Sequence, residues 1–210
     1  IRSDLWLPTC SPFSCGLISV RERCIRMVHS VCPADRAWML DNPLRTLLIR
    51  PKRLLKPYIR PGMTVLDVGC GPGFFTRVMA DLVGPTGQVI AADLQKEMLT
   101  MTWSRMKRKG FSDRVVLHQT SADSLQLQMA GTVDFAIAFH VVHEVPSPRT
   151  LFAEVFDCVK PGGLFLVSEP NGHVKRNEFD QEMKDAVAAG FIIAREQHSR
   201  WEHQVILQKV

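Results

Sequence analysis

The stretch Leu66-Asp67-Val68-Gly69-Cys70-Gly71-Pro72-Gly73-Phe74-Phe75 decides how the rest of the chain is read. Val65, Leu66 and Val68 form a short apolar run, glycines follow at three alternate positions, and helical spacing begins at Phe74 and continues to Leu82. This predicts a strand, a tight turn and a helix. Glycine tolerates positive φ and has no side chain, so a ligand can lie close against the backbone of such a turn. The free N–H groups of the helix start add a seat for a carboxylate or another polar group.

Outward from this turn the pattern alternates. Strands are expected near Thr64 to Val68, Gln88 to Ala92, Arg114 to His118, Val133 to Phe139 and Leu164 to Ser168, with helices near Phe74 to Leu82, Lys96 to Lys109 and Arg149 to Val159. Apolar strand runs without alternation imply burial on both faces, hence a parallel sheet between two helix layers. The end of the chain differs. A helix near Asn177 to Ala188 leads into runs at Phe191 to Glu196 and Gln204 to Gln208, joined by a short polar link that predicts an antiparallel hairpin at the sheet edge. The expected fold is α/β: a Rossmann-like, doubly wound, mostly parallel sheet with a C-terminal antiparallel hairpin and an N-terminal helical arm. Residues 1–26 are expected to be a poorly packed or non-native leader, with Met27 a candidate start; 27–60 form the arm, and 61–210 the ligand-binding domain. In the arm, Asp41-Asn42-Pro43 starts one helix and Pro51 a second, whose Leu54, Leu55 and Ile59 pack inward. Both helices are expected over the mouth of the domain.

The 210 residues carry a net charge of +5, and its distribution is uneven. Residues 1–60 hold 11 Lys/Arg against 4 Asp/Glu, and the remainder 15 against 17. A basic arm reads either as an attraction to an anionic partner such as RNA or lipid, or as a solvated face. No apolar run approaches the roughly 18 residues of a membrane span, and the start lacks the order of a signal peptide, so a cytoplasmic protein is expected. Cys10, Cys15, Cys24, Cys32, Cys70 and Cys158 match no zinc spacing; reduced thiols and no metal are expected.

The ligand class follows from counting. Asp93 is the first acidic residue after the second strand, where doubly wound folds bind ribose hydroxyls. A dinucleotide fingerprint requires a small residue where this chain has Phe74. The pattern here is Asp67-x-Gly69-x-Gly71-x-Gly73, and an acid at the strand end repels a pyrophosphate but suits an ammonium group.

With Ala91-Ala92-Asp93, Ser121-Ala122-Asp123, Phe139 to Val145 and Val159-Lys160-Pro161-Gly162-Gly163 following in order, the chain from Pro57 to Val210 resembles the class I S-adenosylmethionine-dependent methyltransferases. Within them it looks most like the small-molecule branch that includes ubiquinone/menaquinone biosynthesis C-methyltransferases. The resemblance implies S-adenosylmethionine as cofactor and a small organic methyl acceptor, with no nucleic-acid partner. It places Asp67, Gly69, Gly71 and Gly73 at the methionine moiety, Asp93 on the ribose, and Leu94 and Met98 around the adenine. Phe139 would stand beside the site. Ser121-Ala122-Asp123 departs from the usual acid-before-alanine order, leaving open whether Ser121 or Asp123 meets the adenine amino group. His143-Glu144 falls where the branch commonly has a His-His or His-Glu pair. His143 or His140 is then a base or an acceptor-orienting group, with Glu144 beside it, or else His143 only ties its loop to the helix from Arg149. His29, Trp38, Met39, Glu169, Asn171 and His173 are further candidates around the mouth.

Three other functions fit parts of the sequence. An RNA or other macromolecular methyltransferase would use the basic arm, but no Asn-Pro-Pro-Tyr-like motif follows strand four. A nicotinamide oxidoreductase is disfavoured by Phe74. A non-catalytic S-adenosylmethionine-binding scaffold is compatible with the same motifs.

Overall fold

A computed structural model describes residues 49–210. The expectations for the leader, for the helix from Asp41 and for His29, Trp38 and Met39 lie outside these residues. The elements run α1 (Pro51–Leu55), β1 (Thr64–Val68), α2 (Phe74–Val83), β2 (Gln88–Asp93), α3 (Lys96–Lys109), β3 (Val115–Gln119) and β4 (Val133–Phe139). A short 3-10 turn (Val142–Glu144) leads to α4 (Pro148–Cys158), β5 (Val159–Pro170), α5 (Arg176–Ala188), β6 (Phe191–His198) and β7 (Glu202–Lys209).

The seven strands lie in the order β3-β2-β1-β4-β5-β7-β6. β1 pairs in parallel with β2 on one side and β4 on the other, Leu66 standing opposite Ile90 and Ala136. The order of connection therefore reverses between β1 and β4, which opens a crevice at their carboxyl ends. Neighbouring residues of β1 enter opposite layers. Val65 joins the core under α2 with Phe75, Met79 and Val83, whereas Leu66 and Val68 join the core under α4 and α5 with Phe152, Val155 and Phe179. That two-sided burial is why the strand shows no polar alternation. β5 and β7 are antiparallel, as are β7 and β6, so the expected hairpin forms with β6 outermost.

Two expectations are corrected. Helix α1 lies away from the mouth. Its Leu55 and the following Ile59 are buried beside α2, Tyr58 stacks on Phe135 at 5.7 Å, and Lys52 pairs with Asp81 at 2.8 Å. The chain reaches Thr64, the amino end of β1, only five residues after Ile59, too short a link to bring α1 to the opposite end of the sheet. β5 begins at Val159, earlier than expected, because the Gly-rich Lys160 to Gly163 segment is accommodated in the strand with a register shift against β4 between Val133 and Phe135.

Candidate active site

The carboxyl ends of β1 and β4 open into a cavity of about 690 Å³, a size usual for small-ligand sites. Its walls come from the glycine turn after β1, the end of β2, the 120–125 loop, the 139–147 loop, Pro170 at the end of β5 and His173 beyond it. Nearly every residue expected from sequence meets here: Asp67, Gly69, Gly71, Asp93, Leu94, Met98, Ser121, Ala122, Asp123, Phe139, His140, His143 and Glu144.

Among the three glycines of the turn, Gly73 is the exception. It precedes α2 at φ 80°, and a Cβ there would lie 2.8 Å from Thr102 Oγ1. Its smallness serves the packing of α2 on α3, not the lining of the cavity. Gly69 takes φ 64°, and a Cβ on it would stand 2.4 Å from Val141 Cγ2. Here the missing side chain lets the turn pass under the 139–147 loop.

Asp93 closes over the turn. Its Oδ2 accepts from the Gly71 amide and its Oδ1 from the Gln95 amide, each at 2.8 Å. Burial raises its pKa and these two bonds work against the rise. Asp67, 3% exposed, accepts from the Thr76 hydroxyl at 2.6 Å. Burial pushes its pKa up to about 7; the Thr76 bond opposes this, and the charge of Asp93 adds to it. Two acids thus sit in a largely apolar cavity, an environment that favours a ligand bearing positive charge and hydroxyls.

The opposite wall holds the histidines. β4 ends at Phe139, His140 turns the chain at φ 62°, and the 3-10 turn presents His143. His143 Nδ1 pairs with Oε2 of Glu169, a β5 residue with no exposed surface, whose Oε1 accepts from the amides of Val141 at 3.1 Å and Val142 at 2.8 Å. Glu169 therefore both shapes the loop and orients the imidazole. Its carboxylate favours the tautomer with the proton on Nδ1, leaving the Nε2 lone pair for a ligand. Burial disfavours the His143 cation, but the bond to Glu169 and the charges of Glu169, Glu144 and Glu182 outweigh it, and the pKa is raised. The tie expected between His143 and the helix from Arg149 is thus made to β5. His140 Nε2 lies 3.0 Å from both carboxylate oxygens of Glu202, at the start of β7. His173 stands edge-on to His143 at 5.8 Å.

Sequence reasoning placed Glu169 near the mouth without assigning it a partner, and it missed Glu202 and Glu154. Glu154 of α4 fixes the 120–125 loop, accepting from the Ser124 hydroxyl and, at 2.6 Å, from the Leu125 amide. These carboxylates come from distant parts of the chain, and no local spacing signals them. Asn171 does not line the cavity. Cys70 and Cys158 are free and buried, and among the described residues no cluster suited to a metal ion occurs.

A doubly wound sheet with this strand order, a bare glycine turn at its switch point and an acid at the end of β2 has the architecture of class I methyltransferases. Residues 59–205 match the methyltransferase domain family, and the chain belongs to that family. Among curated relatives it is 36% identical to the ubiquinone/menaquinone biosynthesis C-methyltransferase UbiE of Ectopseudomonas mendocina, over 53% of this chain and 43% of that protein. It is 32% identical to the ubiquinone biosynthesis O-methyltransferase of Xanthomonas campestris pv. campestris, over 66% of this chain and 57% of that protein. The chain thus spans about half the length of these relatives. Among solved structures, a SAM dependent methyltransferase from Aquifex aeolicus superposes with a TM-score of 0.76 at 25% identity, over 86% of this chain and all of that one. The family and fold expected from the sequence are borne out. Among the described residues no helix is long and apolar enough to cross a membrane.

Proposed function

We propose that the chain binds S-adenosylmethionine at the carboxyl ends of β1 and β4 and transfers its methyl group to a small organic acceptor. The observation that carries this reading is the seating of Asp93, whose carboxylate is anchored by two backbone amides above a turn kept bare by glycine. Membership of the methyltransferase family supports it.

In this reading Asp93 uses its remaining lone pairs to accept from the two ribose hydroxyls. Asp67, whose neighbours are Thr76 and Asp93, faces the ammonium group of the methionine moiety. Leu94 and Met98 flank the adenine. Asp123, exposed at the rim, takes the adenine amino group, its carboxylate being a stronger acceptor than the Ser121 hydroxyl, which donates to the Ser124 carbonyl at 3.1 Å.

The bound cofactor supplies an electrophilic methyl group on a sulfonium centre. The chain must hold an acceptor atom in line with it and keep water away, and positioning of this kind is worth about 7–11 kcal/mol in favourable cases. His143 orients an acceptor hydroxyl through Nε2 and takes its proton as the new bond forms, while Glu169 stabilises the imidazolium from the far side. Such a base typically adds about 10²–10⁴-fold. His140, tied to Glu202, and Glu144 border the acceptor.

A screen of small hydroxylated metabolites with methyl-labelled S-adenosylmethionine tests the reading. Label recovered in one small compound supports it. Label recovered only in RNA or protein, or in nothing despite cofactor binding, rejects it in favour of a macromolecular methyltransferase or a scaffold.

A further inference from the structure

Helix α5 turns Phe179, Glu182, Met183 and Ala186 toward the interior, at the i, i+3, i+4, i+7 spacing of a core-facing stripe. Three of the four are apolar. The fourth is a carboxylic acid, 7% exposed, and its Oε2 has no hydrogen-bond partner in the structure. A buried, unpartnered carboxylate is costly, and such a group usually keeps its proton instead.

The surroundings of Glu182 reinforce this. The titratable groups acting on it are Glu169 of β5, His143 of the turn after β4, and Glu178 and Asp185 of its own helix; His143 alone opposes the others. From β6 and β7, His198 stands edge-on to Phe179 at 5.9 Å and His203 stacks on it at 5.0 Å. The α4 residues Phe152 and Val155 belong to the same apolar cluster as Phe179 and Met183 and bring no charge. Glu169, bonded to His143, stands opposite His203 across β5 and β7, Phe179 stacks on His203, and Glu182 follows Phe179 by one helical turn, so Glu182 lies on the same face of the sheet as the His143–Glu169 pair.

We propose that Glu182 tunes the proton affinity of His143, Glu182 being the neutral acid behind the His143–Glu169 ion pair. Burial and then the charge of Glu169 push Glu182 up to about 8, and the charge of Glu182 is in turn among those raising the His143 pKa. Groups coupled in this way lose protons in steps that belong to the set. When Glu182 ionises, its charge holds the proton on His143, so the imidazole is released as a base over a broader and higher pH range than one paired with Glu169 alone. The consequence for turnover rests on His143 acting in methyl transfer; the coupling itself is a property of the chain without cofactor.

The test is an NMR titration of the His143 ring in the cofactor-free protein, with the signal assigned by its loss in His143→Gln. In the unaltered chain the curve should be broad; in Glu182→Gln and Glu182→Met it should become a one-proton curve at lower pH. Curves that superimpose on that of the unaltered chain overturn the proposal. A second measurement needs no variant: with carbon-13-labelled glutamate, the infrared band of a protonated glutamic acid should be present near neutral pH and vanish above about pH 8. Its absence at neutral pH also overturns the proposal. Both readouts are independent of whether any acceptor is methylated.

Discussion

His143 and Glu169 are paired across the carboxyl ends of β4 and β5, the imidazole at the cavity wall and the carboxylate wholly buried behind it. One oxygen of Glu169 holds the ring while the other holds the backbone of the loop that carries it. The orientation of His143 and the shape of the acceptor side are therefore set by a single residue.

Replacing Glu169 by Gln tests this arrangement. The amide oxygen can still accept from Val141 and Val142, but its NH2 group then faces Nδ1 and forces the proton onto Nε2. His143 remains in place with the wrong tautomer for a base. Once an acceptor is known, Glu169→Gln should lower kcat by about 10–100-fold and His143→Ala by about 10²–10⁴-fold, with cofactor affinity little changed in both. Full turnover by His143→Ala, measured with labelled methyl groups, would remove His143 from the mechanism.

Gly69 is held at φ 64° against Val141. A methyl group there meets both an unfavourable backbone conformation and a side chain 2.4 Å away. Gly69→Ala should destabilise the fold by about 1–3 kcal/mol in denaturant titrations. Adding Val141→Ala should recover part of this loss, since it relieves the contact but not the φ strain. No recovery would mean that the close approach is not what excludes a side chain.

Asp67 gives a pH dependence with a defined sign. Its pKa stands near 7 in the folded chain against an ordinary 3.8, so the folded form binds more protons than the unfolded form between these values. The contribution of Asp67 to stability is complete below about pH 4 and is lost as pH rises through about 7. Asp67→Asn should flatten the fall in melting temperature over this interval. A ligand ammonium group beside the carboxylate favours ionisation, so cofactor binding near pH 7 should release protons. Calorimetry in buffers of different ionisation enthalpy reads that release directly; equal release by Asp67→Asn would exclude Asp67 as its source.

Much of this was legible in the sequence because the signals were local. The run before Gly69, the spacing from Phe74 and the distance to Asp93 each report on neighbouring residues, and β1, α2, β2 and α3 formed within a residue of where they were expected. The same locality set the limits. The placement of α1 depends on which end of β1 the link from Ile59 reaches, a matter of topology. Gly73 looked like its two companions, yet it answers to Thr102, 29 positions later in the chain. Glu169 and Glu202 meet their histidines only after β5 and β7 enter the sheet. Glu182 was hidden for a different reason: a glutamate amid the charged residues of α5 reads as solvated until the helix phase is fixed.

The central claim is that the Asp93-capped glycine turn seats S-adenosylmethionine, and calorimetric titration of the cofactor into the unaltered chain and Asp93→Ala tests it most directly. The predicted result is one site per chain, with affinity reduced by about 10–100-fold or more in the variant, as expected for loss of charge-assisted hydrogen bonds. No binding to a folded, unaltered chain, or equal affinity in both proteins, would contradict it.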